Sequence, residues 1–144
     1  MIEIIPHLWI GNTTDAFNIW LLKDKKIRLI INLTDKEEFI PIFPEIDKKR
    51  VNLKQLPLIS EYIHDKLTDT KWQINGYSIL IHCQDRIQKA PTVIAYYLIK
   101  YGKMTAEQAI FCIKTKDNLA FKPQCLFLSA LHIDGQHHVI HQRK

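Results

Sequence analysis

Glycine is scarce: the chain of 144 residues contains 4. That excludes a Gly-rich flexible linker. With no long low-complexity segment and no repeat, the length suits one domain with a sizeable core. Cysteine is also scarce, and odd in number. Cys83, Cys112 and Cys125 show no metal-like spacing, which argues against a disulfide framework or a zinc site and for a reduced, intracellular protein, cytoplasmic or nuclear. No apolar run approaches the length of a bilayer span, so no membrane partner is expected. The opening MIEIIPHLWIGN lacks a basic stretch followed by an apolar one, and is not read as a signal peptide.

What is present is an ordinary globular composition, 47% hydrophobic and 24% charged, with a net charge of +5. The pI of about 9.1 favours anionic partners in general, such as phosphoproteins, phospholipid headgroups or RNA, without choosing among them. The clusters Lys23-Lys25-Lys26 and Lys48-Lys49-Arg50 lack interleaved aromatics and read as solvated loops rather than a nucleic-acid stripe.

Along the chain, IEIIPHLWIG predicts one or two short edge strands and AFNIWLL a short helix after the caps Asn12 to Asp15. KIRLIINLT (26–34) and RVNLKQLPLI (50–59) predict strands, and 60–74 carries apolar residues at helical spacing. SILIHC is a short apolar run of the kind buried on both faces. APTVIAYYLIKYG is punctuated as a helix by Pro91 and Gly102. Helices are also predicted over MTAEQAIFCIKTK and from Pro123 through QCLFLSALHI. Alternation of strands and helices implies an α/β domain over 1–134, with a central, mostly parallel sheet flanked by helices. Residues 135–144 form a polar His-rich tail. His132, His137, His138 and His141 lie in or near it, without a defensible ligand pattern, so no metal and no cofactor are expected. Trp9, Trp20, Tyr96 and Tyr97 fall at strand or helix spacing and read as packing residues.

The informative stretch is SILIHCQDRIQKAPTVIAYYLI (78–99). A cysteine between a strand and a helix N-terminus faces inward-pointing N–H groups and the positive end of the helix dipole. Such a place can lower a thiol pKa and cradle an anion. Thiolate and cradle together suggest phosphoryl transfer through a phosphocysteine. That chemistry also needs a bidentate cation, a hydroxyl beside the sulfur, and a general acid for the leaving group.

In these residues the chain resembles the dual-specificity phosphatases of the cysteine-dependent protein tyrosine phosphatase superfamily. That family carries His-Cys, five variable residues, then Arg and Ser or Thr. The likeness extends to IIPHLWIGNTTDAFN, IRLIINLT, PTVIAYYLIKYGKMTAEQAI and FKPQCLFLSAL, so it covers almost the whole chain. It implies the family's fold, with Cys83 at the nucleophile position and His82 orienting it. The phosphate-binding loop becomes Cys83, Gln84, Asp85, Arg86, Ile87, Gln88 and Lys89. Lys89 stands in place of the signature Arg and lacks its planar fork. Ala90 removes the hydroxyl, Arg86 occupies a usual Gly position, and Asp85 adds a negative charge at an anion site. The family's acid lies just past the end of a strand resembling RVNLKQLPLI. Ser60 stands about there, and Asp65 beyond it is the candidate general acid.

These departures make the expected function that of a pseudophosphatase: a catalytically impaired phosphatase-like module that binds phosphoproteins or other protein partners. Two alternatives stay open. One is a slow, divergent cysteine-dependent protein phosphatase, with Lys89 or Arg86 standing in for the missing guanidinium. The other is RNA 5′-phosphate binding or hydrolysis, for which the basic pI is the support.

Overall fold

The computed structural model describes residues 1–41 and 44–132; the whole His-rich tail, 135–144, lies outside the described residues. Five strands form one sheet: β1 (Ile2–Ile5), β2 (Leu8–Gly11), β3 (Ile27–Asn32), β4 (Asp47–Arg50) and β5 (Ser78–His82). Their order is β1-β2-β5-β3-β4. Only β1 runs antiparallel to its neighbour, as the hairpin partner of β2. The sheet is therefore mostly parallel, with β5 at its centre.

The helices are α1 (Thr13–Ala16), α2 (Ile19–Asp24), α3 (Leu56–Thr68), α4 (Thr70–Asn75), α5 (Lys89–Gly102) and α6 (Ala106–Lys116). Every residue of β5 is buried, and its alternation divides the core. Ile79 and Ile81 join the larger apolar cluster with α3, α5 and α6, whereas Leu80 joins the smaller one with Ala16 and Leu22. This period of two is what a strand covered on both faces requires. Helix α5 is buried without a break from Ala90 to Ile99, as expected of a helix enclosed by the sheet, α3 and α6. Trp20 departs from the packing role expected of it: it is 80% exposed on α2. No helix of the described residues is long and apolar enough to cross a membrane.

The helix expected over AFNIWLL is broken at Phe17, where α1 ends, and Asn18, which caps α2, and two further segments differ from expectation in element type. RVNLKQLPLI is not a strand. The strand there is Asp47–Arg50, followed by a short 3-10 turn over Leu53–Gln55 and then by α3. Pro57 sits in the first turn of α3, where its missing N–H costs nothing. Leu56, Ile59, Ser60 and Ile63 are the buried residues of that helix, and their spacing of three and four is helical. Nor does Pro123 open an α-helix. A single 3-10 turn forms there, over Leu128–Leu131. The reason is a distant side chain. Gln88 Nε2 donates to the carbonyls of Lys122 at 3.0 Å and Gln124 at 2.9 Å, and Gln88 Oε1 accepts from Leu126 N–H at 3.0 Å. These backbone groups are satisfied across the fold rather than along a helix.

The last residue of β5, His82, is fully buried between Gly11 of β2 and Asn32 of β3. Neither ring nitrogen has a hydrogen-bond partner among the described residues. Burial pushes its pKa down to about 4, with the nearby Arg50 charge adding and the Cys83 backbone opposing. Between pH 6.5 and 4 the folded state thus binds fewer protons at this site than the unfolded chain, so stability falls as pH falls through that window. The full loss attributable to His82 is about 3 kcal/mol. Urea unfolding at stepped pH should show that decline in the wild type, and His82→Asn should flatten it.

Candidate active site

Cys83 leaves β5 and the chain turns through Gln84 to Gln88 into α5, whose first residue is Lys89. The turn keeps its backbone donors on the sulfur. Ala90 N–H lies 3.4 Å from Cys83 Sγ, and the N–H groups of Arg86 and Asp85 also favour the anionic sulfur. This is the inward-facing cradle that the position before a helix N-terminus implies.

The side chains act against it. The Asp85 carboxylate faces the thiol, with Oδ1 3.9 Å from Sγ, and also accepts from Ile87 N–H at 3.0 Å. Burial pushes the Cys83 thiol pKa up, the Asp85 charge adds to that, and the cradle N–H groups only partly offset it. The thiol is thus held in its neutral form, the reverse of an activated nucleophile. Ala90, fully buried, presents a methyl group where a hydroxyl would support a leaving thiolate.

Arg86 adopts a left-handed backbone, φ 57°, which disfavours any residue with a Cβ by about 1–2 kcal/mol. The turn keeps a glycine-type geometry with an arginine in it. The compensation is an ion pair: Arg86 Nε donates to Asp117 Oδ2 at 2.8 Å, and the Asp117 side chain is 2% exposed. That pair directs the guanidinium toward the C-terminal end of α6 and away from the thiol. Lys89 remains the cation beside Cys83.

A cavity of about 540 Å³ opens over the thiol, between the loop that follows β3 and Phe127. Asp35, Glu37 and Asp85 line it with Lys36 and Lys89, so its charge is mixed rather than cationic. The β3–β4 loop is held in place by Asn32 Nδ2 donating to Glu37 O at 2.9 Å, and by the Arg50 guanidinium donating to the carbonyls of Thr34 and Glu37.

Of the residues singled out in the sequence, Cys83, Gln84, Asp85, Gln88 and Lys89 line the cavity, whereas His82 is buried in the sheet with no hydrogen bond from its ring among the described residues. Arg86 is turned outward, and Gln88 is used as the clamp on 122–126. Asp65 is not brought to the site. It is exposed on α3, and its charge, with that of Glu61, adds to the effect of burial in raising the Tyr101 phenol. Tyr101 is twelve residues after Lys89 on α5, about 18 Å along the helix from the thiol end. His132 is exposed; the other three histidines of that region lie outside the described residues.

Sequence reading missed Asn52. With β4 ending at Arg50, the position just past the strand is Asn52, not Ser60. Asn52 lines an adjoining cavity of about 480 Å³ together with Asp35, Lys54 and Lys89. Its Oδ1 accepts from Lys54 N–H at 2.9 Å, and its own N–H donates to Gln55 Oε1 at 3.0 Å. That reciprocal cap, an Asn followed three residues later by Gln, was the available signal that a helical turn starts there. A neutral amide at this place cannot serve as the general acid for a leaving group.

Comparison with known proteins agrees with this architecture. The family model described as the dual specificity phosphatase catalytic domain matches residues 8–133. Among curated relatives, a protein phosphatase Slingshot homolog from Xenopus laevis is 30% identical over 138 residues, covering 90% of this chain and 19% of its own length. A probable rhodanese domain-containing dual specificity protein phosphatase from Dictyostelium discoideum is 31% identical over 142 residues, covering 94% of this chain and 29% of its own length. This chain thus spans a minor part of those proteins. A putative tyrosine phosphatase, 123R, of Invertebrate iridescent virus 6 is 25% identical, with 90% of this chain and 87% of the viral protein covered. Human DUSP28 superposes with a TM-score of 0.80 at 16% identity, over 99% of both chains. A human tyrosine phosphatase-like serine/threonine/tyrosine-interacting protein superposes with a TM-score of 0.78 at 18% identity, over 99% of this chain and 97% of its own. By the family model and by the fold, with its cysteine at the head of α5, the chain belongs to the dual-specificity phosphatase family.

Proposed function

We propose that this member is a pseudophosphatase: a phosphatase fold with turnover largely lost, which binds phosphorylated protein partners. One observation carries the reading. The backbone cradle around Cys83 is kept, while the side chains that would drive phosphoryl transfer are replaced or opposed. The thiol is pushed up by burial and Asp85, a methyl group stands at Ala90, Arg86 is committed to Asp117, and Asn52 occupies the strand end. Terms of this kind act jointly in the transition state, and losing one charge-stabilising donor commonly costs a factor of 10² to 10³.

The cradle itself does not depend on side chains. Its N–H groups and the Lys89 ammonium can still receive phosphate oxygens. Asp85 opposes a dianion at the same place, so affinity rests on contacts around the phosphate as well as on the phosphate itself. The alternative, a slow phosphatase, draws on Lys89 and Asp35, which line the Cys83 cavity together and could serve as cation and acid.

Hydrolysis of p-nitrophenyl phosphate separates the two. The wild type is expected to match Cys83→Ser, and Cys83-dependent turnover would refute the pseudophosphatase reading. The combination Asn52→Asp, Lys89→Arg and Ala90→Ser should raise the rate by about 10²-fold or more.

The thiol gives an independent check. Iodoacetamide labelling of Cys83, followed by mass spectrometry, should be slow at neutral pH and rise only above the ordinary thiol range. Asp85→Asn should move that rise to lower pH. The same substitution should tighten binding of a phosphotyrosine peptide by about five- to tenfold in calorimetry. Equal affinity for the unphosphorylated peptide would remove the phosphate from the recognition.

A further inference from the structure

The exposed face of α6 is not used by the site described above, and it carries a large apolar group in an unusual setting. Phe111 is 71% exposed. It stands beside an open groove of about 810 Å³, whose walls are Ile110 and Phe111 on one side and Cys125 and Leu128 on the other. Exposed Leu128 adds apolar surface on the facing wall, whereas Leu126 lines the Cys83 cavity. Phe111 and Leu128 thus leave apolar surface in water on both sides of the groove.

The charges along the groove say what fits it. Glu107 and Lys114 line its two ends, and both are exposed. Among the described residues neither takes part in an ion pair. They are seven residues apart on one helix face, and the midpoint between them falls between Ile110 and Phe111. The face therefore reads Glu, apolar, apolar, Lys, with its charges about 5 Å to either side of the centre.

Such a pattern is complementary to itself when reversed. A second α6 laid antiparallel across a two-fold axis at residue 110.5 sets each Glu107 against the other copy's Lys114. It also sets each Phe111 against the other copy's groove. A parallel arrangement would oppose like charges. We infer that this face joins two copies of the chain in an isologous dimer built on antiparallel α6 helices, with Phe111 of each copy seated between Ile110 and Leu128 of the other.

The inference stands apart from the catalytic reading and is tested without reference to activity. The full chain is run by sedimentation velocity over a concentration series, with circular dichroism to confirm that each variant is folded. The wild type should show a concentration-dependent dimer. Glu107→Lys alone and Lys114→Glu alone should each weaken it by about tenfold, because a two-fold axis applies every substitution twice. Phe111→Ser should abolish it.

The decisive arm mixes the two charge variants. One copy then carries two lysines and the other two glutamates, and the antiparallel geometry pairs them twice. The mixture should dimerise within about threefold of the wild type at low salt, and lose that advantage at high salt. A wild type that stays monomeric would overturn the proposal and leave the groove to a different protein. A mixture no tighter than its components would overturn the antiparallel geometry.

Discussion

The site depends on how β5 is held. This strand is buried on both faces and hydrogen-bonded on both edges, so it has no freedom to rotate or slide without breaking two ladders. It fixes where Cys83 emerges and in which direction the chain must turn to enter α5. The turn then aims the N–H groups of residues 85, 86 and 90 at the sulfur whatever side chains occupy it. The backbone half of an anion site is thus a by-product of the fold, and it survives changes that would remove catalysis.

The side chains form a second layer with a different logic. Left-handed strain at Arg86, of about 1–2 kcal/mol, is tolerated because the guanidinium finds a buried carboxylate on α6. Gln88 is similarly occupied, tying the turn to 122–126 through three hydrogen bonds. Both residues work outward, bracing the turn against the C-terminal segment. The loop is a well-supported structural joint, and within it Lys89 is the cation that lines the Cys83 cavity.

How much of this the sequence disclosed depended on whether the signal was local. β5 and α5 were legible because an apolar run and the Pro91 and Gly102 punctuation are written in consecutive residues. The site was legible as far as His82, Cys83 and the identity of the loop residues. RVNLKQLPLI was misread because Val51 and Leu53 fit a strand, while Leu56, Ile59 and Ile63 fit a helix. Pro57 then reads as an interruption rather than a first-turn residue. That one boundary error displaced the expected acid position from Asn52 to Ser60 and on to Asp65. The partners of Arg86 and Gln88 lie 31 or more residues away, and nothing in either neighbourhood announces them. The last segment has a helical composition, and it lost its helix to one of those distant side chains.

The pairing of Arg86 with Asp117 couples what each residue can become. Replacing Arg86 by glycine would relieve the backbone, yet it would leave the Asp117 carboxylate buried without its cation, a loss on the order of 3 kcal/mol at full burial. Removing Asp117 first would strand the guanidinium while the strain remained. Neither single exchange leaves the turn as well supported as the pair does, so the two positions behave as one unit. The surface around them can vary freely, but a relaxed turn at residue 86 requires that both members of the pair be exchanged together.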